Sequence, residues 1–296
     1  MVHVGAHEMM TRREAILRLS AGSVGARFAL EQAGADVSQP PLARGTPSSP
    51  ERMALIDAFK RASEGLEKQF ESRTHAGDFT MPYRLFHPKA SGTLPLVVYL
   101  HGSGGLGDDN EKQLGLGNIF GTRVWLLPEN QQRFPCYVVA PQTDRGWIKY
   151  DFSKRPAQEI SGLGDGSRLA LEIVDRLTRE FPIDQRRIYV TGQSMGGAGV
   201  WNIIANRPEL FAAAIPCCGS ASSEKGSEAI ATPLWNFHGD ADRTVPVSIS
   251  RDRIAARRKA GGHPLYTEYD GVDHNVWEWA YTEPGLVTWM FAQRRS

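Results

Sequence analysis

The chain has 296 residues with 34 basic and 33 acidic side chains, so its formal charge is +1, a balance that excludes nucleic acid or an anionic membrane as the main partner. Hydrophobic residues make up 41% and charged residues 23%, a globular composition, and no uninterrupted apolar run approaches the roughly 18 residues of a membrane span. Three cysteines, two of them adjacent at Cys217 and Cys218, give no disulfide framework.

The first fifty residues differ from the rest. Thr11-Arg12-Arg13-Glu14-Ala15-Ile16-Leu17 resembles a twin-arginine export signal, followed by an apolar stretch from Leu19 to Leu30, interrupted by Arg27, and then by Ala33-Gly34-Ala35, a cleavage-type site. This predicts an exported protein. Ser38 to Pro50 is a Pro/Ser-rich linker expected to hold no regular structure. One domain is expected from Glu51 to the C-terminus.

Glu51 to Phe70 reads as a helix, with Leu55, Ala58, Phe59, Ala62 and Leu66 at helical spacing. Met81–Phe86 alternates and reads as an edge strand. Leu96–Leu100 and Tyr137–Ala140 are short apolar runs, the pattern of strands buried on both faces. Cys136, at the start of the second run, is expected to be a buried, inert thiol. Arg168 to Phe181 is an amphipathic helix stopped by Pro182. A strand at Arg187–Val190 and a helix through Val200–Ala205 follow. Ala212–Ile215, Leu234–Phe237 and Leu265–Tyr269 are further strands, with helices at Ile249–Ala260 and Pro284–Gln293. Strands separated by helices imply an α/β fold with a mainly parallel central sheet and helices on both faces.

The strongest local feature is Gly192-Gln193-Ser194-Met195-Gly196, directly after one strand and opening a helix. So tight a turn strains the backbone of Ser194 and lifts its Oγ above the sheet, while a Cβ at Gly192 or Gly196 would strike the neighbouring strand or helix. A serine hydroxyl is a weak nucleophile and needs a base, oriented in turn by a carboxylate. On elbows of this kind the order along the chain is Ser, acid, His. Downstream lie His238, His263 and His274. His238 ends a strand, and the loop after it offers Asp240 and Asp242 as the acid. His263 precedes a strand, at the wrong end of the sheet. His274 follows the strand Leu265–Tyr269 and is the expected base, on the carboxyl edge where ligands bind in open α/β sheets. His101-Gly102-Ser103-Gly104-Gly105 follows another strand and can turn backbone N–H groups toward a substrate carbonyl. The expected oxyanion donors are the amides of Ser103 and Met195, with Gly104 as an alternative to Ser103.

These segments, together with Asp109-Asn110, Cys136 to Gln142, Ile183 to Thr191, His238 to Pro246 and His274-Asn275-Val276-Trp277, resemble an α/β-hydrolase of the carboxylesterase/phospholipase-like branch. That branch includes dienelactone-hydrolase-like, feruloyl-esterase-like and polyhydroxybutyrate-depolymerase-like enzymes and proteins labelled predicted peptidases. The resemblance implies a serine esterase, needing no cofactor, that acts on a small or polysaccharide-linked ester. It favours Asp242 over Asp240 as the acid and places aromatic residues near the site, matching Trp147 and Trp277. Gln193 and Gly104 are further expected substrate neighbours, and the loop Thr143 to Asp165 the expected specificity element.

Two rival readings fare worse. Gly102-Ser103-Gly104-Gly105-Leu106-Gly107 satisfies a dinucleotide-binding pattern, but Asp108-Asp109 would repel a pyrophosphate and no strand follows until Tyr137. A non-catalytic binding module would have lost the nucleophile or the base. Neither H-E-x-x-H nor C-x-x-C occurs, so no metal is expected. Peptidase chemistry on the same fold is a further alternative, shared through the acyl-enzyme.

Overall fold

A computed structural model describes residues 43–45, 49–151, 153, 158–220 and 231–296. The segment resembling an export signal lies outside these residues. Leu42–Ser296 forms one compact unit.

The strands are β1 (Ala43–Gly45), β2 (Glu71–Ala76), β3 (Thr80–Phe86), β4 (Leu94–Leu100), β5 (Tyr137–Pro141), β6 (Tyr150–Asp151), β7 (Gln158–Glu159), β8 (Ile183–Gln193), β9 (Ala213–Cys217), β10 (Trp235–Gly239) and β11 (Leu265–Tyr269). Nine of them form one sheet in the order β1-β11-β10-β9-β8-β4-β5-β3-β2, and β6 pairs separately with β7. Every pairing from β1 to β5 is parallel, whereas β3 runs antiparallel to β5 and β2 antiparallel to β3.

Successive side chains of a strand face opposite ways, and here both faces are buried. On β4, Leu96, Val98 and Leu100 join the core shared with Leu169, Ile173 and Leu177 of the helix Asp165–Glu180. Val97 and Tyr99 point into the other core, with Ile56 and Phe59 of the helix Pro50–Ala62 and Leu286 and Met290 of the helix Leu286–Ala292. The apolar runs without alternation are therefore the strands covered on both sides, as the sequence implies.

Three expectations are corrected. Met81–Phe86 is not an edge: β2 covers it, and β2 reads Glu-Ser-Arg-Thr-His-Ala, whose polar run carries no apolar alternation to reveal a strand. The helix expected over Glu51–Phe70 stops at Ala62; Ser63 closes it, Gly65 turns the chain at φ 78°, and a short 3-10 turn follows at Leu66–Gln69. Its buried face carries Ile56 and Phe59, and Ala62 is exposed. Finally, Ala43–Gly45 in the expected linker forms a strand, parallel to Thr267–Tyr269. No described helix is long and apolar enough to cross a membrane.

Candidate active site

The carboxyl ends of β4, β5, β8, β10 and β11 bring five loops to one edge of the sheet. Ser194 follows β8 at φ 53° and ψ −119° and caps the helix Met195–Asn206, a backbone conformation that non-glycine residues rarely adopt. The two flanking glycines are sterically required. A Cβ at Gly196 would stand 1.9 Å from the Leu100 carbonyl oxygen, and one at Gly192 would stand 2.7 Å from the Leu100 oxygen and from Gly196.

Three side chains then form a line. His274 Nε2 lies 2.8 Å from Ser194 Oγ, and His274 Nδ1 lies 2.8 Å from Asp242 Oδ2. A carboxylate can only accept, so Nδ1 carries the proton and Nε2 accepts from the Ser194 hydroxyl. The other carboxylate oxygen, Asp242 Oδ1, accepts from the amides of Thr244 and Val245, both at 2.8 Å. Asp240, the alternative acid, instead accepts from the Gly271 amide at 2.6 Å and ties the acid loop to the loop carrying His274. Asp273 adds a second tie: it accepts from the backbone and side chain of Arg243, which hold its carboxyl down at about 2. His263 is exposed and precedes β11, at the opposite end of the sheet from His274.

His238, which the sequence reading passes over, faces Asp242 from behind. Its Nε2 lies 3.0 Å from the Val245 carbonyl and 3.2 Å from Asp242 Oδ2, and its Nδ1 lies 2.7 Å from Ser250 Oγ. Since a carbonyl only accepts, Nε2 holds the proton and Ser250 donates to Nδ1. Burial lowers the pKa of this imidazole and keeps it neutral. Asp242 is thus bracketed by two imidazoles. The spacing His238-Gly-x-x-Asp242 was the signal for this contact, but a sequence cannot show which face the His238 ring occupies.

The loop after β4 is held by a buried histidine of its own. His101 Nδ1 donates to the Gly102 carbonyl at 2.8 Å, and Nε2 accepts from the Thr143 amide at 3.2 Å. Burial depresses its pKa to about 4. Ser103 and Gly104 begin a 3-10 turn, both exposed, and the first bond of that turn is made by Gly105. Ser103 and Gly104 therefore precede the turn's own donors, as Met195 does at the first position of its helix, where amides have no intrahelical partner. Asp109 and Asn110 are used structurally. Asp109 accepts from the amides of Glu111 and Lys112, and Asn110 from Gln113, while Gln142 joins both to the end of β5.

The remaining expected substrate neighbours divide. Trp147 is buried, its indole N–H donating to the His101 carbonyl at 2.9 Å, and it forms part of the wall of the cleft beside Ser194. Gln193 is turned inward, its Oε1 3.0 Å from the Tyr99 hydroxyl. Trp277 stands edge-on to the His274 ring, with centroids 5.5 Å apart. Beside Ser194 opens a cleft of about 350 Å³ whose walls include Leu106, Arg145, Ile148, Tyr150, Ser220 and Val245. Much of that wall comes from the loop Thr143 to Asp165.

Cys218 lies close by, and its sulfur with donor atoms of Asp242 and His274 falls within a 4.8 Å cluster. Burial raises the thiol well above its ordinary range, and it points to the His274 carbonyl at 3.5 Å, so it keeps its proton and is poorly suited as a metal ligand. Cys136 is likewise buried, its thiol pushed up to about 12.

The sheet order, the strained serine and the loops at its carboxyl edge define an α/β-hydrolase. Residues 170–224 match the model of the prolyl oligopeptidase family. A probable inactive carboxylesterase of Oryza sativa subsp. japonica is 27% identical over 194 residues, covering 61% of this chain and 78% of that protein. A bifunctional acetylxylan esterase/xylanase of Neocallimastix patriciarum is 26% identical over 199 residues, 65% of this chain but 27% of that protein. A solved structure described as a thermostable esterase superposes with a TM-score of 0.72 at 36% identity, covering 77% of this chain and 64% of that one. This chain therefore spans less than two thirds of that esterase. Within this fold, the chain is similar to proteins described as esterases and carboxylesterases.

Proposed function

We propose that the protein is a serine carboxylic-ester hydrolase acting through an acyl-enzyme. The observation that carries this reading is the unbroken hydrogen-bonded line from Ser194 Oγ through His274 to Asp242. Ser194 attacks the ester carbonyl while His274 Nε2 takes its proton, and the Asp242 carboxylate balances the imidazolium that forms. The amides of Met195 and Ser103 face the developing oxyanion, each worth about 3 kcal/mol in sites of this kind. His274 then protonates the leaving alkoxide, and a water activated by the same imidazole releases the acid. No step calls on a metal or cofactor.

Short-acyl and aromatic acyl esters, including those of plant polysaccharide, are the proposed substrates. The cleft of about 350 Å³ suits a small acyl group, and one relative is named for acetylxylan esterase activity. The test is hydrolysis of p-nitrophenyl acetate through octanoate, methyl ferulate and acetylxylan by wild type and Ser194→Ala. The variant should lose activity by roughly 10⁴-fold or more. A folded wild type inert toward every ester would overturn the reading. The match to the prolyl oligopeptidase family supports a second reading, peptide hydrolysis, tested with peptide p-nitroanilides in the same assay.

A further inference from the structure

Leu116 is the most exposed large hydrophobic side chain among the described residues, at 77%. Its φ is 47°, a conformation that bulky side chains rarely adopt. An idle loop would place glycine or asparagine there. The loop is also firmly anchored. Asn118 Oδ1 accepts from the Tyr99 hydroxyl at 2.9 Å and from the Gly102 amide at 3.1 Å, tying this segment to the backbone of the oxyanion loop.

Its loop forms a ledge that links the oxyanion loop to Trp277. A Cβ built on Gly104 would lie 3.9 Å from Leu116 Cδ1, and one on Gly117 would lie 3.0 Å from the Trp277 indole. Trp277 in turn meets the His274 ring edge-on. The ledge therefore runs from the oxyanion loop to the base, and neither Leu116 nor Trp277 lines the cleft beside Ser194.

Acyl transfer fixes what can lie there. As the bond from the carbonyl carbon to the alcohol oxygen breaks, the proton taken from Ser194 passes from His274 Nε2 to that oxygen. The leaving alcohol must therefore lie against the imidazole, which is where Trp277 stands, with Leu116 one residue before the Gly117 that approaches the indole. We propose that Trp277 and Leu116 form the subsite for the leaving alcohol and that it favours alcohols presenting a flat apolar face, an aromatic ring or the apolar face of a sugar ring, leaving the cleft of Leu106, Arg145 and Tyr150 to the acyl group. A planar ring has the shape to lie along an indole and a leucine in this way. The proposal rests on the ester-hydrolase reading.

Leu116→Gly and Leu116→Asn both tolerate a positive φ and remove the apolar side chain. With 1-naphthyl acetate and methyl acetate as substrates, the ratio of their kcat/KM values should fall about tenfold in both variants relative to wild type. An equal loss on both esters, or a loss that follows acyl length at a fixed alcohol, overturns the subsite. If wild type hydrolyses neither ester, the ester-hydrolase reading fails separately. The ledge is then tested by NMR titration of 1-naphthol into Ser194→Ala with and without Leu116→Gly: weaker binding in the double variant supports it, and unchanged binding overturns it.

Discussion

The Asp242 carboxylate is the most heavily engaged group of the site, with two backbone amides on one oxygen and two imidazoles on the other. Replacing it by asparagine should leave the fold intact and lower kcat by about 10⁴-fold, because the amide holds the wrong tautomer of His274. His238 gives a finer test. A hydrogen bond to a charged group contributes about 1.5–3 kcal/mol, so His238→Gln should lower kcat tenfold or more on p-nitrophenyl acetate with KM little changed. An unaltered kcat would show that the 3.2 Å approach to Asp242 does nothing for the base. At this scale Ser194, His274 and the two candidate acids were legible in the sequence, since their order and their positions after strands are one-dimensional facts. Choosing between Asp240 and Asp242 took more. Both lie in the same loop, and only the packed loops send Asp240 to the Gly271 amide and Asp242 to the imidazole.

Among the elements, the helix Pro50–Ala62 shows how little of docking is written in periodicity. Its N-cap is readable, with Ser49 Oγ accepting from the Arg52 amide and Pro50 at the first turn. Its attachment is not. Arg52 reaches across the chain to the Thr282 carbonyl at 3.1 Å and to Glu283 at 3.0 Å, and also bonds to the Trp279 carbonyl. Lys60 pairs with Glu278 at 2.9 Å. The Arg52 side chain is largely buried, so Arg52→Ala should cost about 2 kcal/mol by removing the charged donor shared by Glu283 and the Thr282 and Trp279 carbonyls, lowering the Tm by several degrees, whereas loss of the exposed Lys60 should be near neutral. Thermal unfolding of the two variants separates them. The strand β2 was invisible for a related reason: its partner β3 and the side-chain network around Asn110, not a hydrophobic pattern, hold it in the sheet.

Over the whole molecule, two buried histidines with lowered pKa contribute to the acid limb of stability. The pKa of His101 falls to about 4 in the folded state, and that of His238 is also lowered by burial. An unfolded imidazole titrates near 6.5. Between these values the unfolded chain binds more protons than the folded one, so stability is full above pH 6.5 and falls as the pH drops toward 4. For His101 alone the shift corresponds to about 3 kcal/mol. The Tm should decline across that window, and His101→Asn should flatten the decline. A Tm independent of pH there would show that the two rings do not stay neutral in the fold.

The sequence by itself determined the alternation of strands and helices, the elbow at Ser194 and the chain order of nucleophile, acid and base, because these depend on local sterics and on apolar runs a few residues long. Only the tertiary structure decided the rest. It tied the Trp147 indole to backbone while leaving that residue in the cleft wall, turned Gln193 toward the core, set His238 behind Asp242, and left Leu116 exposed. The physical reason is that a side chain's direction depends on which distant loop meets it at the sheet edge. Residues some 80 positions apart, such as Ser194 and His274, are brought to hydrogen-bonding distance by the parallel register of β9, β10 and β11, which lie between them in the chain.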